Sequence, residues 1–414
     1  MRPRSLRTLF AVLAFAGPAS SQVISLSFTG SGTGTNNSIN GTGTGTLSPG
    51  GAAVVSLTGV SSNNDNCDSR VQLSEKLIVD ANDSITVLFN APQPNTNANS
   101  FSLNGTLTVT AGTGTYSGKG GSGSGTVAVQ LGSSSNNNNT QSFTFTFTGT
   151  VTLAGPLVPV ASLTPSGIVP VFTDIPTLQP GSWVSVYGAN LANATTLWNG
   201  DFPTSLGGVS VTIDGNAAYF WFVSAAQINL QAPDDSKTGC VPVVLNTPNG
   251  TITTSVQLEP ISPSLSLLDN QYVVAEILTP NGSGAYGGVY DLAGPVGHFS
   301  YPTRPARRGE SVVLYGVGFG PTTPAVPAGK LFYSAAPTTN QVYIYLGNNQ
   351  GNFIQVIPAF SGLVGAGLYQ INITIPNNAP SGDLILQATV GGNGTSGNNG
   401  VQTSGDFNVL LSVQ

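Results

Sequence analysis

The sequence has 414 residues, enough for two or three domains, and only 7% are charged, against about 25% in an average soluble domain. Gly, Ser, Thr and Asn stand in place of charge, while 39% hydrophobic residues is too many for a disordered polyelectrolyte. A formal net charge of −6 counts against a nucleic-acid partner.

The chain opens with a secretory layout. Arg2, Arg4 and Arg7 form a positive start, Leu9–Gly17 is a short apolar run, and Ala19-Ser20-Ser21 supplies small residues before Gln22. The run is too short to span a bilayer, so residues 1–21 read as a signal peptide, with a buried N-terminal helix as the alternative. Its removal takes three arginines and leaves 8 basic against 17 acidic residues, a net −9. No later segment approaches the ~20 apolar residues of a spanning helix. The mature protein is therefore expected to be exported: secreted, held at the cell surface, or periplasmic.

Residues 22–155 are a series of alternating stretches and predict a Thr/Gly-rich antiparallel β-domain, barrel or sandwich. In Ser142–Leu153, Phe143, Phe145, Phe147, Val151 and Leu153 share one face and five threonines share the other. Ser102–Thr110 repeats the scheme, and Ile24, Leu26 and Phe28 begin a similar strand. The Gly/Thr tracts Gly41–Thr46 and Gly112–Thr126 are either strands with one bare face, which another backbone approaches closely, or turn-rich connections. The second tract resembles the glycine-rich segment of a small, secreted, uncharacterised β-barrel-like family. Asn95–Ser100 and Asn136–Asn139 read as hairpin tips. Asp65 and Asp68 flank Cys67, where an Asx turn is the expected role, since a calcium loop needs six or more oxygens. Cys67 and Cys240 are the only cysteines. Export permits a disulfide, but they fall in different domains, so two separate thiols are expected.

A Pro-rich linker is expected over 156–176, then a first immunoglobulin-like domain over 177–262, a connecting segment over 263–303 and a second such domain over 304–414. The two units echo each other: PGSWVSVYGANL returns as RRGESVVLYGVGFG, GVSVTIDGN as QVYIYLGNN, and SAAQINLQAP as GLYQINITIP. Strands at roughly ten-residue spacing with turn signals such as Asp214-Gly215 point to β-sandwiches. The stretch from about 157 to 414, through PGSWVSVYGANLA, FVSAAQINLQAP, RPARRGESVVLYGVGFGPTTP and GLYQINITIPNNAPSGD, resembles the C-terminal domain family of many secreted proteins of soil acidobacteria (Solibacter-type). Each unit in turn resembles the immunoglobulin-like IPT or TIG module through its V-x-x-Y-G opening and its strand ending in Pro. The resemblance implies an extracellular, all-β protein; the family has no established activity and supplies no catalytic residues. Tyr219-Phe220-Trp221 is bulkier than the family pattern, and Cys240 stands where a small residue is usual.

Within the repeats, Gln227 and Asn229, and again Gln370 and Asn372, are expected to hydrogen-bond loop backbone. His298 is the only histidine, so a Ser-His-Asp site must use it, and its GHFS setting lacks nucleophile-elbow glycines; a packed loop role is expected. Zinc needs Cys/His pairs that are missing. Glu75, Glu259, Glu276 and Glu310 sit in separate segments, against a glycosidase pair, and Asp234-Asp235 reads as a solvated turn. Gly118–Gly123 matches G-x-G-x-x-G with no helix after it. For binding, Trp198 and the run Tyr219–Phe222 offer aromatic faces to sugars, although alternation points at most two of those four outward. Arg304, Arg307 and Arg308 are the one basic cluster, facing either solvent or the carboxylates of a polysaccharide or surface protein.

The resulting expectation is an all-β, non-enzymatic exported protein without cofactor or metal, serving adhesion, structure or display. The alternatives are a carbohydrate-binding protein, with Trp198 and Trp221 as stacking residues, and a hydrolase using two acids among Asp65, Asp68, Glu75, Asp80 and Asp83.

Overall fold

The computed structural model describes residues 21–34, 38–61, 67, 70–92, 99–135, 140–157, 159–348, 351–391 and 409–414. The signal-peptide stretch 1–20, both hairpin tips at their Asn runs, Asp65 and Asp68 lie outside these residues. Apart from one three-residue 3-10 turn, Gly114–Tyr116, the described elements are strands. The chain forms two compact units, 1–60 with 71–158 and 61–70 with 159–414.

In the first unit, strands β1 (Gln22–Gly34), β2 (Ile39–Ser48), β3 (Gly51–Ser61) and β4 (Arg70–Ile78) follow one another in space. They continue with β5 (Ser84–Pro92), β6 (Ser100–Thr113), β7 (Lys119–Ser135) and β8 (Thr140–Pro156). The eight close into an antiparallel barrel when β8 returns to β1 with Phe147 opposite Phe28, so no edge is left to recruit another strand. The alternation read from the sequence becomes inside and outside. Leu26, Phe28, Phe89, Leu107, Phe147 and Val151 fill the interior, each buried ring or branched side chain contributing about 1.5–3 kcal/mol. Phe89 meets Phe147 edge-on at 6.0 Å.

Glycines occupy inward positions because the strands and rings leave no room for Cβ. A Cβ on Gly30 would lie 2.3 Å from the Thr42 carbonyl and 2.7 Å from the Phe145 ring; one on Gly105 would lie 2.7 Å from the Phe89 ring. Gly41–Thr46 is thus a strand with a bare inner face, while Gly112–Thr126 holds the 3-10 turn before β7. Ser and Thr point outward, the reverse of the apolar outer band of a membrane-spanning barrel. Among the described residues no helix is long and apolar enough to cross a membrane.

The second unit holds two pairs of sheets with separate cores. In the first pair, one sheet orders Thr177–Leu178, Gly250–Leu258, Gly239–Thr247, Ser210–Ile213 and Asn216–Ala217. Its partner sheet orders Thr196–Leu197, Tyr219–Val223, Gln227–Gln231, Trp183–Ala189 and Ser162–Pro170. Asp214 and Gly215, at φ 49° and 81°, make the hairpin turn that their sequence announced. The stretch expected to be linker contributes a strand, Ser162–Pro170, which pairs on one side only, with Trp183–Ala189. Its prolines suit an edge, where a missing N–H costs no ladder bond.

In the second pair, one sheet orders Tyr290–Leu292, Ala275–Leu278, Ser311–Val317, Leu368–Thr374, Phe360–Gly365 and Ala336–Pro337. The other orders Phe353–Val356, Val342–Gly347, Gly382–Val390 and Leu410–Val413. The connecting segment thus supplies two of these strands, plus Ser264–Leu265 beside Ser311–Val317.

Cys67 and Cys240 are disulfide-bonded, which corrects the expectation of two thiols. Assignment of Cys67 to the β-domain made pairing look remote; the segment 61–70 that carries it belongs to the second compact unit with Cys240.

Candidate functional site

The strand Trp183–Ala189 sends Val184 and Val186 into the first sandwich core and leaves Trp183, Ser185 and Tyr187 on the opposite face. Two strands away, Tyr219–Val223 breaks its alternation. A bulge between Phe220 and Phe222 puts Phe220 and Val223 in the core, brings Phe222 opposite Asn229, and leaves Trp221 42% exposed. The bulge is why a parity argument over four aromatic residues does not identify the outward ones. Trp198 follows the strand Thr196–Leu197, and its N–H donates to the Trp221 carbonyl at 3.0 Å.

All three tryptophans of the chain therefore meet. Trp183 lies edge-on to Trp198 at 5.9 Å and to Trp221 at 6.0 Å, and is stacked with Phe202 at 6.2 Å. Trp198 crosses Phe202 at 4.6 Å and 88°. Phe202 holds φ at 51°, a left-handed value that costs a bulky residue roughly 1–3 kcal/mol, and is buried against these rings. Trp183 Nε1 donates to the Ala366 carbonyl of the second sandwich at 2.6 Å, fixing the ring at the centre of the group. Sequence reading found Trp198 and Trp221 but missed Trp183 and Phe202; the alternation of Trp183 with Val184 and Val186 was the available signal for the former.

Beside the rings runs a polar row. Gln227 Nε2 donates to Asn229 Oδ1 at 2.8 Å, and Ser185 Oγ donates to the same oxygen at 3.2 Å. Gln370 Nε2 repeats the first bond to Asn372 Oδ1 at 2.8 Å. The paired amides bond along their own sheet face rather than to loop backbone, because residues two apart on a strand point the same way.

The basic cluster is divided. Arg304 donates through Nε to Asp291 at 2.6 Å and through two nitrogens to Glu310 at 2.8 and 3.0 Å. Glu310 and Asp291 raise the Arg304 pKa; burial works against the Glu310 carboxylate, yet Arg304 holds it below its usual range. Arg308 donates to the Ala379 carbonyl at 2.7 Å and to Ser381 at 3.1 Å. Arg307 is exposed, and its backbone N–H donates to Glu310 at 2.7 Å. Arg304 and Arg308 thus serve the second sandwich itself.

His298 lies 3.1 Å from Asp269, whose other oxygen accepts the Gln271 and Tyr272 N–H groups, and packs on Phe299 at 4.7 Å. In the barrel, Asp80 accepts the N–H groups of Asn82 and Asp83, and Asp83 accepts Thr115, so both shape turns. Glu75 on β4 points inward with Leu73 and Leu77. It is 1% exposed, neither carboxyl oxygen has a partner among the described residues, and burial pushes its pKa to about 8. Among the described residues no group of three or more His, Cys, Asp or Glu is placed to hold a metal ion.

A cleft of about 250 Å³ lies between the two sandwiches, lined by Gln179, Gln231, Asp234, Gly320, Gly367 and Tyr369. Its polar groups are engaged with one another. Gln179 bonds Tyr369 at 3.0 Å and accepts the Gly320 N–H at 2.5 Å; Tyr369 donates to the Gly320 carbonyl. Gln231 bridges the Gly181 carbonyl and the Gly329 N–H, and Asp234 accepts the Ala328 N–H. Burial pushes the Tyr369 hydroxyl to about 12, so it stays a donor. This network fastens one sandwich to the other.

No family model matches the chain, and no curated protein matches it. Among solved structures, the full extracellular region of plexin A4, domains 1 to 8, is similar at 8% identity and a TM-score of 0.16. The match covers 92% of this chain and 56% of the plexin chain, so the chain spans about half of that protein's length.

Proposed function

We propose that this chain is an exported, non-catalytic protein that attaches to extracellular material or displays its barrel there, with residues from about 157 to 414 acting as the family they resemble. The observation that carries the reading is a division of labour among side chains. Arg304, Arg308, Asp291, Glu310, Asp80 and Asp83 are committed to internal bonds, while the aromatic group around Trp183 stays partly open to solvent. A disulfide between Cys67 and Cys240 supports an oxidising compartment, as does the secretory layout of residues 1–21. Fractionation of producing cells, with peptide mapping under non-reducing conditions, tests this. The expected result is protein outside the cytosol, lacking the leader and carrying the Cys67–Cys240 peptide pair. Cytosolic protein with both thiols free overturns it, as does hydrolytic turnover abolished by Glu75→Gln.

A second reading, carbohydrate binding, is favoured by one observation: Trp198 and Trp221, on or beside paired strands, are gathered on one surface around Trp183.

A further inference from the structure

Resting on that second reading, we propose that the corner of Trp183, Trp198, Phe202 and Trp221, with the Gln227–Asn229 row beside it, binds a single chain of a neutral glycan with equatorial hydroxyls. Charge decides the first part. None of the five strands of this sheet contains a charged residue. The exposed carboxylate beside the rings is Asp201, between Trp198 and Phe202, and the chain without residues 1–21 carries a net −9, so an acidic polysaccharide is disfavoured here relative to a neutral one.

Ring geometry decides the second part. A flat crystalline polysaccharide needs coplanar rings in a row, whereas these cross at 67° to 88°, with only Trp183 and Phe202 near-parallel at 28°. Crossed rings give no long flat platform; the ring most open to solvent is that of Trp221. A pyranose with equatorial hydroxyls carries its C–H bonds on two flat faces; one face packs on the exposed Trp221 ring, whose negative π-face meets those C–H bonds. Its hydroxyls then lie at the rim, and the amides are ready for them. Asn229 Oδ1 already accepts two bonds, and among the described residues neither Asn229 Nδ2 nor Gln227 Oε1 has a protein partner.

Preorganisation decides the third. The bulge at Trp221, the left-handed Phe202 and the Trp183–Ala366 bond hold the rings before any ligand arrives, so little side-chain ordering opposes binding.

The test is titration of the whole protein with cellohexaose, laminarihexaose and a mannohexaose, read by tryptophan fluorescence and calorimetry, with polygalacturonate and microcrystalline cellulose as controls. We expect at least one neutral hexasaccharide to bind, Trp221→Ala to weaken it about tenfold or more with an unchanged melting temperature, and Trp221→Phe to weaken it less. Asn229→Ala is expected to lower affinity several-fold, and Asn372→Ala, at the matching place in the second sandwich, to leave it unchanged. Failure of all three oligosaccharides, binding that survives Trp221→Ala in a folded variant, or preference for polygalacturonate or the crystalline surface overturns the proposal. Such a failure leaves the exported, attaching role standing if the protein is still recovered outside the cell, whereas cytosolic retention removes that role and not this one.

Discussion

In the first sandwich Tyr187 lies opposite Gln227 and Ser185 opposite Asn229; in the second, Tyr315 lies opposite Gln370 and Val313 opposite Asn372. The two copies therefore share one framework of pairing, and the Tyr-Gly and Gln-x-Asn residues common to both belong to it. What stands around that framework differs. Position for position, Trp183 becomes Ser311, and all three tryptophans are in the first copy. Tyr187 is 39% exposed, whereas the Tyr315 hydroxyl donates to Glu276 at 3.1 Å, on a neighbouring strand that the first copy replaces with the uncharged Ser162–Pro170. The two sandwiches share the part that folds the sheet and differ on its outer face, where the first carries the aromatic corner.

The largest expected effect asks whether the copies are separate at all. Phe220→Ala and Phe319→Ala each remove a fully buried ring, one from each core, and should cost about 4 kcal/mol. Because Trp183, Gln231 and Gln179 bond across to the second sandwich, both variants should shift one shared calorimetric transition. Two separate transitions, each moved by one variant only, would break the picture of a fastened pair.

The barrel supplies a contrast that neither sandwich shares. Glu75 has a folded pKa of about 8, above its ordinary 4.5, so the folded chain binds the extra proton between those values. Stability contributed by the protonated form is complete below about pH 4.5, falls by about 1.4 kcal/mol per pH unit as pH rises toward about 8, and then levels off. Thermal melts of the wild type across this range should show the decline, and Glu75→Gln should flatten it.

Arg304→Ala should weaken the second sandwich by about 2 kcal/mol, since it leaves two half-buried carboxylates without their partner. Urea titration at low and high salt checks this; an effect that vanishes in salt would mean the bridge acts as a surface pair. The smallest effects sharpen the framework argument. Asn372→Ala should cost about 1 kcal/mol, for one amide–amide bond, and Asn229→Ala somewhat more, because it also releases the Ser185 hydroxyl. Equal losses would mean that the Ser185 bond contributes nothing to the fold.

The local pattern was legible wherever one face of a strand had to be buried. The Phe/Thr alternation of β8, the Asp214-Gly215 turn and the order of the repeated strands follow from side-chain period and turn chemistry, which act over a few residues. Ser162–Pro170 escaped because its prolines argue against a strand until a one-sided neighbour is known. Glu75 was within reach, since Leu73, Glu75 and Leu77 share a parity, but a charged residue is ordinarily read as exposed.

By itself, then, the sequence determined the all-β class, the repeated sandwich and the inner and outer faces, since each rests on short-range periodicity. Tertiary structure decided which distant residues became neighbours. The Cys67–Cys240 bond joins positions 173 residues apart, and the tryptophans meet through a bulge and a strained Phe202. Barrel closure likewise depends on how β8 finds β1. Such encounters depend on strand order, register and twist, which no window of a few residues contains.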